Sequence, residues 1–182
     1  MPKYSTASNI AFTTKRLEAQ FLTAANQQFV IDLYNQKESG QFLEGVDVMK
    51  DIELVMQCYK DNNNIGAYLI FCKETKKFIG FGGVQNQEFL SDGSLALADK
   101  IEFLIMVDSK QGGLGYGYEF SEAFLKFFFE KFPDQTLAAR VNKENSACLK
   151  LLSKVGFIQK GEVCYRDRGN KFCLLRAGSN LL

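Results

Sequence analysis

The amino-acid sequence predicts an α/β or α+β fold, a sheet with helices on both faces, and three observations carry that prediction. Short apolar runs such as Ile101 to Val107 alternate with segments whose apolar residues recur at helical spacing. The order reads strand, two helices, three strands, helix, strand, helix, two strands. Near the centre of that order, Gln111-Gly112-Gly113-Leu114-Gly115-Tyr116-Gly117 turns from an apolar run into a helix.

Taken along the chain, Arg16 to Leu22 alternates apolar and polar residues, as a half-buried strand does. Ala24 to Tyr34 and Val48 to Cys58 have helical spacing, with a glycine-containing loop from Ser39 to Gly45 between them. Ala67 to Cys72 and Phe78 to Val84 read as strands of a hairpin closed by the charged turn Lys73 to Lys77. A polar loop, Asn86 to Asp99, leads into the buried strand Ile101 to Val107. The segment Tyr118 to Lys131 places Phe120, Ala123, Phe124, Phe127 and Phe128 on one helical face, and Phe132-Pro133-Asp134 ends it. Leu137 to Val141 is a short strand. Asn145 caps a helix from Ser146 to Val155, which Gly156 closes. Phe157 to Tyr165 and Lys171 to Arg176 form a last hairpin. With no internal repeat and no Pro/Ser-rich linker, residues 1–182 are expected to form one domain.

Composition narrows the function. A net charge of +1 argues against a partner held by overall field, so neither nucleic acid nor an anionic membrane is expected. No apolar run is long enough to span a membrane, and the N-terminus does not read as a signal peptide. The five cysteines, Cys58, Cys72, Cys148, Cys164 and Cys173, form no Cys-x-x-Cys pair. Reduced thiols in the cytoplasm and no metal site are the expectation. With no histidine in the chain, Ser-His-Asp and Cys-His catalysis and His-ligated metals are excluded. Acid–base chemistry must use carboxylates, Tyr, Cys, Lys, a substrate group or water.

Glycines at a strand-to-helix turn let a ligand approach the backbone, and the helix start offers free N–H groups and the positive end of its dipole. The turn therefore reads as a pyrophosphate cradle. A nucleotide-triphosphate loop needs Lys-Ser/Thr after its glycines, and here Tyr118-Glu119 follows Gly117. The dinucleotide fingerprint needs a third glycine where this chain has Tyr118. The turn does resemble the coenzyme A loop of the GNAT acyltransferases, Gln/Arg-x-x-Gly-x-Gly/Ala, with Gly115 and Gly117 at its small positions. Asn145 followed by Gly156-Phe157 is similar to a second element of that family, and Thr14-Lys15-Arg16-Leu17 at the first strand to one typical of its RimJ/RimL-like branch. There are two departures. Gly112 stands at the Gln/Arg position, with Gln111 one residue early, and Leu152 stands where many members carry a tyrosine that protonates the leaving thiolate.

The resemblance implies a mixed, mostly antiparallel sheet of about seven strands with about four helices. It implies direct transfer of an acetyl group from acetyl-CoA to an amine, with no covalent acyl-enzyme and no metal. The acceptor is expected to be a protein N-terminal α-amine or a small-molecule amine, and the protein a monomer or homodimer. Main-chain groups of Gln111, Gly112, Gly113, Leu114, Gly115, Tyr116 and Gly117 would hold the cofactor, with Met106 and Val107 bonding the pantetheine arm and polarising the carbonyl. Asn145 either contacts the cofactor or only caps its helix. Glu102 stands where the branch often carries an acid; it either takes a proton from the amine through water or pairs with a neighbouring cation. An α-amine, with an ordinary pKa of about 7.7–8 against about 10.4 for lysine, makes that deprotonation easier. Cys148, in the first turn of the Asn145 helix where the dipole lowers a thiol pKa, either donates a proton to the leaving sulfur or packs. Glu44, Asp47 and Glu88 are candidate attractors of a cationic amine. A module that binds acyl-CoA for regulation or interaction without catalysis is the alternative.

Overall fold

The structure is a computed structural model that describes residues 9–42, 47–86, 101–165 and 169–178. In chain order the elements are β1 (Ile10–Thr13), β2 (Leu17–Phe21), α1 (Gln28–Tyr34), α2 (Val48–Asp61), β3 (Ala67–Cys72), β4 (Phe78–Asn86) and β5 (Ile101–Val107). A 3-10 turn at Ser109–Gln111 follows, then α3 (Tyr116–Lys131), β6 (Thr136–Asn142), α4 (Ser146–Lys154), β7 (Ile158–Tyr165) and β8 (Gly169–Ala177). The expected order holds, with one strand added. Short β1 was not anticipated, because four residues at an edge show too little of a strand's period.

All eight strands form one sheet in the order β1-β2-β3-β4-β5-β6-β8-β7. Only β5 and β6 run parallel; every other pair is antiparallel. The predicted Phe stripe packs on the sheet face that carries Phe103: Phe120, Phe124 and Phe128 are fully buried, and the Phe103 ring meets those of Phe124 and Phe157. Phe12 of β1 joins this cluster through Tyr68, Phe120, Phe124 and Phe127, which is what holds the short strand in place. Helix α2 buries Ile52, Val55, Cys58 and Tyr59, and the Tyr59 hydroxyl donates to the carbonyl of Ala67.

The consequential irregularity is at β5–β6. Strand β4 ladders with β5 from Gly80↔Val107 to Asn86↔Ile101, and β6 ladders with β8 along its full length. Between β5 and β6 only Glu102↔Ala138 is paired. Past that point no further pair joins them, and the unpaired carboxyl-terminal stretch of β5 beside β6 is termed the wedge. The Asp108 N–H donates to Ile79 O at 2.9 Å, which sets the phase of the β4–β5 ladder. By the alternation of an antiparallel ladder, Met106 and Leu104 bond toward β4, while the N–H and C=O of Ile105 and Val107 face the wedge. The edge expected at Met106 and Val107 is thus supplied by the main chain of Ile105 and Val107.

Candidate active site

A cleft of about 530 Å³ lies at the carboxyl end of β5, between the glycine turn and α4. Its walls include Ile105, Met106 and Val107 of β5, the turn residues Gln111, Gly112, Gly113, Gly115, Tyr116 and Gly117, and Asn145, Cys148 and Leu151 of the α4 region. Of the expected cofactor-binding residues only Leu114 stands outside the lining; it is exposed, and its carbonyl accepts from Arg16 Nη1 at 2.9 Å.

The turn has a definite form. Asp108 caps the 3-10 turn by accepting from the Lys110 N–H, and the Gln111 and Gly112 N–H groups are spent on Asp108 O and Ser109 O. Gly113 and Gly115 then take φ of +74° and +76°, the left-handed region that favours glycine. Helix α3 starts at Tyr116, two residues before the expected Tyr118, because a left-handed Gly115 serves as its N-cap. Its first bond across the cap is Glu119 N–H to Gly115 O. Six consecutive N–H groups, from Gly113 to Tyr118, therefore have no partner among the described residues. Gly117 has a second reason to be glycine: an added Cβ would meet Leu151 Cδ1 at 3.0 Å and Val107 Cγ2 at 3.3 Å. Its smallness lets α3 close against α4 and β5.

The Thr14-Lys15-Arg16-Leu17 turn lies against this helix start. Glu119 Oε1 accepts from Thr14 Oγ1 at 2.5 Å and from the Arg16 N–H at 2.7 Å, while its Oε2 accepts from Arg16 Nε at 2.5 Å. The Arg16 guanidinium also lies 4.5 Å over the Tyr116 ring. Burial works to raise the Glu119 carboxyl, but the bonds from Thr14 and Arg16 outweigh it and hold the group below the ordinary carboxylate value.

Asn145 Oδ1 accepts from the Cys148 N–H at 3.1 Å, so the residue does cap α4, and it also lines the cleft. Cys148 is not an activated thiol. Burial pushes the Cys148 thiol up to about 11, the opposite direction from the lowering expected at the first turn of α4. Leu152, at the family's tyrosine position, is buried in the core.

Glu102 lies apart from the cleft lining, on the opposite sheet face from Phe103. Both its carboxylate oxygens accept from Arg140 of β6, Oε1 from Nε at 2.7 Å and Oε2 from Nη2, and both side chains are about nine-tenths buried. Of the two readings of Glu102, the ion pair is what the geometry displays. On the same side the Tyr34 hydroxyl donates to Asp51 at 3.0 Å. Burial first, then the carboxylates of Asp51 and Glu102, drive that hydroxyl's pKa well upward.

Some cleft residues carried no readable signal in the sequence. Glu38, Ser39, Gln41 and Phe42 reach it from the segment after α1, where Ser39 Oγ accepts from the Ser109 N–H at 3.0 Å. Lys150 and Lys154, one turn apart on α4, also line it, with no ion pair among the described residues. Their helical spacing beside Asn145 was the available clue. Asp47 caps α2 by accepting from the Met49 and Lys50 N–H groups, which accounts for its residue type. Glu44, Glu88 and most of the Asn86 to Asp99 loop lie outside the described residues.

A mixed sheet with one parallel pair, and a run of free N–H groups at the helix start beside it, define the class, an α/β fold with a cleft at the carboxyl end of β5. A family profile described as an acetyltransferase (GNAT) domain matches residues 15–158. The chain belongs to the GNAT family and is a GNAT-family acetyltransferase; enzymes of this family use acetyl-CoA. A search of curated proteins returns no match by sequence. Among solved structures, an acetyltransferase from Agrobacterium tumefaciens is similar at TM-score 0.73 and 18% identity, covering 97% of this chain and 98% of that one. A ribosomal-protein-S5-alanine acetyltransferase from Vibrio fischeri is similar at TM-score 0.69 and 12% identity, covering 93% and 97%. A spermidine N-acetyltransferase chimera from Vibrio cholerae gives TM-score 0.67 and 16% identity, covering 91% and 97%. At these identities the likeness speaks for the fold. No helix among the described residues is long and apolar enough to cross a membrane.

Proposed function

We propose that this protein transfers the acetyl group of acetyl-CoA to a primary amine, a protein N-terminal α-amine or a small-molecule amine, by direct attack in a ternary complex. The observation that carries this reading is the run of six unpartnered N–H groups from Gly113 to Tyr118 at the open end of the β5–β6 wedge. Such an array suits the diphosphate of coenzyme A. Lys150 and Lys154 add two cations on the same cleft. The wedge-facing N–H and C=O groups of Ile105 and Val107 suit the amides of the pantetheine arm, and a free N–H there would polarise the thioester carbonyl. The names of the structural neighbours, which include spermidine and a ribosomal-protein alanine, fit an amine acceptor. A single domain over residues 1–182 and a place in the cytoplasm belong to the same reading.

In the transfer, the amine nitrogen bonds to the thioester carbon, the C–S bond breaks, the nitrogen loses a proton and the sulfur gains one. Bidentate pairing with Arg140 uses two of the roughly four lone-pair positions of the Glu102 carboxylate. The others remain for a water that relays the amine proton. An acceptor with a low amine pKa suits this arrangement, because less of it must be deprotonated on the enzyme. Cys148 at about 11 is a weaker acid than an ordinary thiol at 9.0. Full proton transfer from it to the leaving sulfur would be uphill by about 3 kcal/mol. Its role is a hydrogen bond to the developing thiolate, with the proton coming from water or from the product ammonium.

The test is a thiol-release assay with acetyl-CoA against panels of N-terminal peptides, polyamines and other amines. Release with one acceptor class is expected. Acetyl-CoA binding with no release on any panel would instead indicate the non-catalytic module.

A further inference from the structure

Helix α3 presents an electrostatic conflict. Glu119 sits in its first turn, where a carboxylate competes with any ligand anion for the positive end of the dipole. All its partners come from the β1–β2 turn: Thr14 Oγ1, the Arg16 N–H and Arg16 Nε. Arg16 meanwhile holds the other end of the glycine turn, through Nη1 to Leu114 O and through its stacking on Tyr116. One arginine thus ties a strand turn to both the loop and the helix start.

The consequence for the loop follows from peptide geometry. In a trans peptide the C=O and the next N–H point in opposite directions. With Leu114 O turned outward to Arg16, the Gly115 N–H is turned the other way. Gly113, Gly115, Tyr116, Gly117 and Tyr118 line the cleft, while Leu114 and Arg16 do not.

We propose that Thr14, Arg16 and Glu119 form a clip whose function is to aim the Gly113–Tyr118 N–H groups at a ligand diphosphate and to cancel the charge of Glu119 beside it. These are positioning residues, since none of them needs to touch the ligand. The proposal rests on the reading of the cleft as a coenzyme A site.

Four proteins test it: the wild type, Arg16→Ala, Arg16→Lys and the double variant Arg16→Ala/Glu119→Ala. Titration calorimetry with CoA gives affinity, and amide hydrogen exchange without ligand reports the loop. Arg16→Ala is expected to weaken CoA about tenfold or more, the range of a lost charge-assisted bond plus an uncancelled carboxylate. Arg16→Lys keeps the charge but loses the fork to Leu114 O, so it should fall between wild type and Arg16→Ala. The double variant should bind CoA more tightly than Arg16→Ala alone, because the orphaned charge has gone. A merely structural role predicts the reverse, with the second substitution adding damage. Exchange in Arg16→Ala should quicken at Gly113 to Tyr118 and stay unchanged in the core strands. If CoA affinity and loop exchange in Arg16→Ala match the wild type, the clip is refuted. Wild-type protein that fails to bind CoA refutes the cofactor reading instead, while the exchange result still judges the clip.

Discussion

The two faces of β5 are built on opposite principles. On the α3 side the chain leaves hydrogen-bonding capacity open: six N–H groups of the glycine turn and the wedge edge of Ile105 and Val107. On the other side polar side chains are paired with each other, Glu102 with Arg140 and Tyr34 with Asp51. A donor with a fixed chemical handle can be met by a preformed main-chain socket. On the side facing α1 the polar side chains are instead paired with one another.

The largest expected effect breaks the open side. Gly115→Glu forces a side chain into φ of +76° and adds a carboxylate at the anion array, so CoA affinity should drop by about a hundredfold or more, read by calorimetry on folded protein. Unchanged affinity would move the donor site elsewhere. Next comes the closed side. Arg140→Met strands a buried Glu102 and should cost about 3–5 kcal/mol of stability in denaturant unfolding. CoA affinity should stay within about threefold of wild type, a difference of roughly 0.7 kcal/mol. Loss of both together would mean the two sides are one unit.

A smaller change sharpens the electrostatics of the cleft. Lys150→Ala with Lys154→Ala should weaken CoA by about tenfold at low salt and by less at high salt. A salt-independent loss would point to packing. The smallest is a pH effect. Cys148 folded titrates near 11 against an ordinary 9.0, so it adds stability that is full below pH 9 and lost as pH rises toward 11. Urea midpoints at pH 8 and 10.5 should therefore converge in Cys148→Ala relative to wild type. An unaltered pH slope would show that the thiol is not desolvated.

What could be read from the sequence follows the same division. The glycine turn was legible because a local run of residue types dictates its backbone, and the Phe stripe because its partners share one helix. The α3 boundary was misplaced by two residues, since a left-handed Gly115 hides the first helical residues inside the glycine run. The Glu102–Arg140 pair was not legible, because it depends on the register of two strands far apart in the chain. The Thr14–Arg16–Glu119 contacts were hidden for the same reason. Thr-x-Arg-Leu could be matched as a pattern, but nothing local says that it grips a helix more than a hundred residues later. Where side chains from distant elements must meet, pattern gives the residue type and not the partner.

The single paired position between β5 and β6 also has a mechanical meaning. Strands β1–β5 and β6–β8 meet at one paired position, Glu102 and Ala138, with the Glu102–Arg140 ion pair and the Phe103–Phe157 ring contact across the same seam. A ligand arm lying between them would act as a surrogate strand, stitching the sheet along the length the chain itself leaves unsewn. On this view the bound enzyme is a more complete β-sheet than the free one. Amide exchange at Ile105 and Val107 is where that completion would be felt first.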